Sequence, residues 1–361
     1  MEYLILILSL AGIVLGADFL VNGAVVVAKK CRVSSFVIGA VIVGIGTSLP
    51  ELVVSTVGAI EGNSEVAIGN VVGSNIFNVF AILGLTALFF PVAVSRQNMK
   101  FEIPFCIGVS VLLTLLVYNF FCGGEPLLGR GDGVILLAAF VTFMWISLRR
   151  GKATVPAGVT ETAGEQDTSG KAETAAETAA ADTVRENGNT QEIPEAVEGK
   201  DGKEAGKNWK NSLWFAALSI AGGLAALIVS SNFFVDEAVL IAKELGVSDA
   251  FISITLLACG TSLPELAASV TAALKKDTDM ALGNIIGSNI FNASMILGTA
   301  SLITPLTTGK IGLVDYAAMT LAAVLPLIFG IRGKITRTEG LLMLLCYAAY
   351  TWYIVTYVMA V

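Results

Sequence analysis

The chain contains no histidine, so the commonest general base of enzymes and the commonest zinc ligand are both missing. Its five cysteines, Cys31, Cys106, Cys122, Cys259 and Cys346, are scattered, with no Cys-x-x-Cys pair. Neither a disulfide framework nor a thiolate metal site follows from that spacing. Charge is scarce as well: Asp, Glu, Lys and Arg make up 14% of the 361 residues, where ordinary globular sequence carries about 25%. The charge that exists is unevenly spread. Twelve of the 29 acids and seven of the 22 basic residues fall between Gly151 and Asn211. That stretch is rich in Ala, Thr, Glu and Gly and has no aromatic residue before Trp209. It has too little apolar surface to offset its ordering entropy, so residues 149–211 are expected to form a disordered acidic linker.

What the chain has in abundance is apolar sequence, 55% of its residues, with a mean hydropathy of +0.78. Apolar stretches of roughly 20 residues, enough to cross a ~30 Å hydrocarbon core, recur along it. Backbone groups in lipid must be satisfied within the segment, and these runs are continuous rather than alternating. Both points favour helices over a β-barrel. The stretch from Met1 to Ala28 lacks a basic leader and a small-residue cleavage site, so it is expected to be a retained first helix. The expected fold is an all-α polytopic membrane protein.

The two apolar regions, 1–148 and 212–361, repeat each other. Gly46-Thr47-Ser48-Leu49-Pro50-Glu51-Leu52 recurs unchanged as Gly260-Thr261-Ser262-Leu263-Pro264-Glu265-Leu266. The block from Gly69 to Asn78, Gly-Asn-Val-Val-Gly-Ser-Asn-Ile-Phe-Asn, recurs from Gly283 to Asn292 with two Val→Ile changes, at the same offset of 214 residues. This is an internal duplication. Five apolar segments are counted in each copy, at about 3–28, 33–60, 66–90, 101–121 and 132–148, then 212–242, 248–274, 280–303, 311–331 and 338–360. An odd number of crossings makes the second copy enter from the opposite side. Ten transmembrane helices then form two inverted five-helix repeats. With the N-terminus outside, the inside loops hold twelve basic residues, among them Lys29, Lys30, Lys275 and Lys276, and the outside loops only Arg130, Lys243 and Lys310. That bias places both termini outside and the linker in the cytoplasm.

Glu51 and Glu265 fall mid-way along the second and seventh expected helices. An acid at that depth costs at least ~2.5–3.5 kcal/mol on an insertion scale. No Lys or Arg lies near the middle of any expected helix, so the two acids need a mobile cation or protons. The plainer alternative is that each is protonated and hydrogen-bonded within the bundle. Thr47 and Ser48 precede Glu51 by four and three residues, and Thr261 and Ser262 stand likewise before Glu265, which puts all four hydroxyls on the carboxylates' faces. Pro50 and Pro264 lack an N–H, so the carbonyls of Gly46 and Gly260 are left free, and a kink exposes carbonyls a turn earlier, around Gly44 and Ala258. Ser74 with Asn78, and Ser288 with Asn292, add oxygens at i,i+4 spacing. Asn75 and Asn289 point elsewhere, towards the broken backbone of the neighbouring helix. Gly69, Gly73, Gly283 and Gly287 read as points of close helix approach. Every donor is oxygen, the ligand set of hard cations such as Ca²⁺ and Na⁺.

These doubled blocks resemble the α-repeats of the sodium/calcium exchanger family, within the cation/calcium antiporter superfamily, and most of all its prokaryotic members. The resemblance spans both apolar halves. It implies that Glu51 and Glu265 are the metal-binding acids. Thr47, Ser48, Ser74, Asn78, Thr261, Ser262, Ser288 and Asn292, with the Gly44 and Ala258 carbonyls, would line the Ca²⁺ and Na⁺ sites. Potassium-dependent relatives carry Asp at the position of Asn292, so the neutral amide here points to K⁺-independent exchange. The resemblance also makes the first and sixth helices the ones that slide past the bundle. On them Asp18 and Asn22 align with Asn232 and Asp236, acid and amide exchanged. These four are candidate accessory residues, with a plain inter-helix hydrogen bond as the alternative.

The function implied is a secondary active antiporter, not an enzyme, exporting Ca²⁺ against Na⁺ entry in a prokaryotic cell (inner) membrane. The expected partners are Ca²⁺, Na⁺ and membrane lipid, with no cofactor and no nucleic acid. A proton/calcium antiporter is the alternative within the class, and a channel would show uncoupled conductance. An intramembrane protease fails on residues: Gly44-Ile45-Gly46 is followed by Thr47 rather than Asp, and a Ser-His dyad has no histidine to use.

Overall fold

The computed structural model describes residues 2–120, 125–153, 212–244 and 260–358. The first copy contains α1 (Glu2–Cys31), α2 (Ser35–Thr47), α3 (Leu49–Ile60), α4 (Ser64–Phe89), α5 (Asn98–Val117) and α6 (Arg130–Ala153). The second contains α7 (Leu213–Glu244), α8 (Leu263–Leu274), α9 (Thr278–Ile303), α10 (Leu313–Phe329) and α11 (Arg337–Tyr353). Among the described residues, 8 helices are long and apolar enough to cross a membrane, and 9 spans result if α2 and α3, bent by 47° at Ser48, form one. α6 continues through Ala153, beyond the boundary at 148 expected from hydropathy. The expected linker beyond it, and the first part of the expected seventh helix with Ala258, lie outside the described residues.

Among the described residues, large apolar side chains cover the outside, while the polar residues of the repeated motifs are buried within an apolar core. Leu4, Ile7, Leu8, Leu15 and Phe19 on α1, and Trp214, Leu218 and Phe233 on α7, are exposed, whereas Glu51, Asn78, Glu265, Ser288 and Asn292 are fully buried. A water-soluble fold arranges these the other way round. The burial also ranks the helices: 78% of the apolar window of α4 and 83% of that of α9 is buried, against 22% for α6 and α7 and 11% for α11. α4 and α9 therefore form the centre.

Helices at matching places in the duplication meet in matching ways. α1 and α7 pack antiparallel. A Cβ at Gly16 would lie 2.9 Å from Gly223 O, one at Gly23 would lie 2.8 Å from Ala216 O, and Ser219 Oγ donates to Phe19 O at 2.7 Å. Only glycine allows backbones that close. Two short antiparallel sheets also cross between the copies. β1 (Val92–Ala93) pairs with β4 (Lys334–Ile335), and β2 (Leu127–Leu128) pairs with β3 (Leu306–Thr307). Arg130 donates to Ile303 O and Arg337 to Phe89 O, each at 3.4 Å, the two acceptors being 214 residues apart. The copies are thus interlocked rather than side by side.

Candidate functional site

The two Gly-Thr-Ser-Leu-Pro-Glu blocks do not form kinked continuous helices. α2 ends at Thr47, Ser48 takes φ −84° and ψ 9°, and Pro50 lies in the first turn of α3. Ser262 is the matching break, with φ −92° and ψ 7°, before Pro264 in the first turn of α8. A proline there loses no helical bond, because first-turn N–H groups have no intrahelical acceptor. Each glutamate therefore stands in the first turn of a new helix, where the exposed N–H dipoles favour negative charge.

The break changes which serine meets which acid. Helical spacing implied Ser48 beside Glu51 and Ser262 beside Glu265. Instead Ser48 Oγ donates to Glu265 Oε1 at 2.8 Å, and Ser262 Oγ donates to Glu51 Oε1 at 3.1 Å. The pairing crosses between the copies, so neither half builds a carboxylate environment alone. Among the described residues, the second oxygen of each acid, Oε2, is buried without a hydrogen-bond partner, and so are Ser74 Oγ, Asn78 Oδ1, Asn292 Oδ1 and Thr261 Oγ1. Buried oxygens left unbonded are unusual in proteins. Their grouping on the repeated motifs makes a set of lone pairs suited to a hard cation.

Two further groups are already engaged. Gly44 O accepts from Ser288 Oγ at 3.2 Å and from Thr47 Oγ1 at 3.3 Å, which puts the expected carbonyl beside the expected hydroxyls. Among the described residues, Asn75 and Asn289 bond each other's helix rather than the broken ones. Asn75 Nδ2 donates to Asn289 O and Asn289 Nδ2 to Asn75 O, both at 3.1 Å, clamping α4 to α9. Asn78 Nδ2 joins that clamp through Asn289 Oδ1 at 3.0 Å. Immediately beyond it both central helices widen into π-helical turns, Asn78–Leu83 and Phe291–Ile296. Such turns are frequent at functional sites.

The residues that hold the broken backbone are ones the sequence reasoning passed over. Asn70 Nδ2 donates to Glu51 O at 3.2 Å and to Ser55 Oγ at 2.9 Å. Asn284 Nδ2 donates to Glu265 O at 3.2 Å and to Ser269 Oγ at 2.8 Å. Asn70 and Asn284 stand inside the repeated block, and Ser55 and Ser269 recur at the same offset, so the duplication itself carried the signal.

Asp18 and Asn22 are not part of the carboxylate cluster. Asp18 Oδ1 is 2.7 Å from Lys275 Nζ, Asn22 Nδ2 donates to Asp18 Oδ2 at 3.0 Å, and Lys275 Nζ donates to Asn22 Oδ1 at 2.6 Å. Asn232 and Asp236 are exposed on α7.

Duplicated, interlocked helical halves with apolar exteriors and a buried acid pair between them define a membrane transporter. The profile of the sodium/calcium exchanger protein family matches residues 1–149 and 215–356. A putative antiporter, CaxA, of Alkalimonas amylolytica is 35% identical over 96% of this chain and 97% of its own length. The sodium/calcium exchanger MaX1 of Methanosarcina acetivorans is 32% identical over 97% of each chain. A solved structure of the sodium–calcium exchanger NCX_Mj, soaked with Na⁺ and Sr²⁺, superposes with a TM-score of 0.73 at 28% identity, over 97% of both chains. The chain belongs to the sodium/calcium exchanger family.

Proposed function

We propose that the protein exchanges Na⁺ for Ca²⁺ across a prokaryotic cell (inner) membrane, through a site near the bilayer midplane built on Glu51 and Glu265. Ten helices cross the membrane as two inverted five-helix repeats, α2 with α3 forming one crossing. Both termini lie outside. The observation that carries the reading is the pair of buried carboxylates. Each has one oxygen tied to the other copy's serine and, among the described residues, one oxygen without a partner, alongside unbonded hydroxyl and amide oxygens.

Two fixed negative charges are balanced by one Ca²⁺ or by two or more Na⁺. Both ions use the same oxygens, so they compete, and that competition couples their movements. An ion-free pair of carboxylates closed off from water would carry a desolvation penalty of several kcal/mol per acid. The ion-free site therefore disfavours crossing, which suppresses uncoupled leak. Ca²⁺ would draw on Glu51, Glu265 and the Gly44 and Ala258 carbonyls. Thr47, Ser48, Ser74, Asn78, Thr261, Ser262, Ser288 and Asn292 supply the rest of the Ca²⁺ and Na⁺ ligands. Asn292 adds no third charge, so K⁺ is not required.

The test is ⁴⁵Ca²⁺ flux in proteoliposomes under separate Na⁺, H⁺ and K⁺ gradients at fixed membrane potential. Uptake is expected with an outward Na⁺ gradient alone and is indifferent to replacing K⁺ with choline. Uptake driven by a pH gradient without Na⁺ would establish proton/calcium antiport in its place.

A further inference from the structure

The two copies carry the same motif residues but differ in how those residues and their flanks are engaged. In the first, Asp18 and Asn22 of α1 grip the Lys275 ammonium at the end of α8. The backbone carbonyl of Asp18 is a third acceptor at 3.2 Å. Shifting by the repeat offset gives the counterpart trio: Asn232 and Asp236 on α7, and Glu61 at the end of α3. There the duplication has replaced the lysine by an acid. In the structure Glu61, Asn232 and Asp236 are exposed, and among the described residues their side chains make no hydrogen bond or ion pair.

A second departure from symmetry runs the same way. Thr47 Oγ1 donates to Asn284 Oδ1 at 3.3 Å, whereas among the described residues Thr261 Oγ1, its counterpart, has no hydrogen-bond partner. Among the described residues, the contacts made on the Lys275 flank have no equivalent on the other. Because the copies share their sequence and their outer helices run antiparallel, exchanging the two arrangements yields the same fold with the opposite flank engaged. That exchanged state would release Lys275 from Asp18. It would bring Asp236 and Asn232 up to Glu61, acid against acid.

We propose that Lys275, with Asp18 and Asn22, biases the transport cycle: it is a one-sided tether that holds the protein in the described arrangement, and the exchanged arrangement has no equivalent. This rests on the reading of the chain as an alternating transporter, and on no assumption about which ions drive it. Lys275 is 28% and Asp18 49% exposed, so the bias is that of a half-exposed ion pair, about two- to fivefold in population. A bias of that size sets the resting state without trapping the protein in it.

The experiment reads the arrangement directly. Spin labels are placed at Cys31 and at Lys276→Cys, in full-length protein whose other cysteines are replaced. The label at Cys31 lies about 20 Å along α1 from Asp18 at the usual helical rise. Wild type should give a dominant distance with a minor second population. Lys275→Gln should raise the second population about two- to fivefold, and the charge exchange Asp18→Lys/Lys275→Asp should return it to the wild-type level. Glu61→Lys, which builds the missing pair on the other flank, should shift the distribution in the same direction as Lys275→Gln. An unchanged distribution in Lys275→Gln, or a shift in it that the charge exchange leaves in place, overturns the tether. A shift of Glu61→Lys in the opposite direction overturns the symmetry argument. These distances are read without flux, so failure here and failure of Na⁺/Ca²⁺ exchange remain distinguishable.

Discussion

At the scale of single residues, the arrangement turns on two carboxylates that each lean on the opposite copy. Gln has nearly the shape of Glu and would still accept the serine hydroxyl, so Glu51→Gln and Glu265→Gln should fold. Either removes half of the fixed charge available to a divalent ion. Na⁺-driven ⁴⁵Ca²⁺ uptake is expected to fall by about a hundredfold or more in each, in line with the loss of one partner from a buried charge pair. Uptake near wild type in both variants would rule out the carboxylate pair as the cation site. The acids and their oxygen neighbours were legible because the motif occurs twice, and a polar cluster repeated at one offset within apolar sequence stands out. The crossed pairing of Ser48 with Glu265 and Ser262 with Glu51 was not legible. Helical spacing speaks only for a continuous helix, and which partner a side chain finds across 217 residues depends on how the copies dock.

The elements tell a similar story of limits. Apart from the broken segments, hydropathy located the described spans to within several residues, because apolar length is what the membrane demands. It could not show whether Pro50 bends one helix or opens a second. The structure places Pro50 in the first turn of α3, where an N–H would have had no intrahelical acceptor. Close packing of the central elements was legible in part, through the glycines of the second block. A side chain at Gly283 would run into the Phe36 backbone of α2, and one at Gly287 into Ala40. Both obstacles are main chain or first side-chain carbons, which cannot rotate away. Gly283→Ala should therefore destabilise the α2–α9 contact by about 1–3 kcal/mol of overpacking strain, seen as a lowered apparent melting temperature in detergent. Gly108 on α5 meets nothing within 4 Å, so Gly108→Ala serves as the control and should be neutral or slightly stabilising through helix propensity. Equal melting temperatures for the two variants would show that α2 and α9 are not held at that distance.

For the molecule as a whole, the question is what makes two copies of one sequence act as a unit. The described contacts answer it without the acidic segment. The strand pairs β1–β4 and β2–β3, the Asn75–Asn289 clamp, the crossed serine–glutamate bonds and the α1–α7 seam all join the copies. Every one of them lies outside residues 155–205. The composition of that segment, acidic and nearly free of large apolar residues, leaves it nothing with which to build a core. Shortening a connection changes the free energy of joining its ends only slowly, by about 0.6 kcal/mol per doubling of length. Deleting residues 155–205 is therefore expected to leave Na⁺-driven ⁴⁵Ca²⁺ flux and the melting temperature within about twofold and a few degrees of the full chain. The decisive comparison is between the deletion and a variant carrying a Gly/Ser segment of the original length. If both fold but neither transports, the acidic sequence has a role in exchange beyond connection. If only the deletion fails, the span between Ala153 and Ser212 needs the length, and the sequence between them is free to vary.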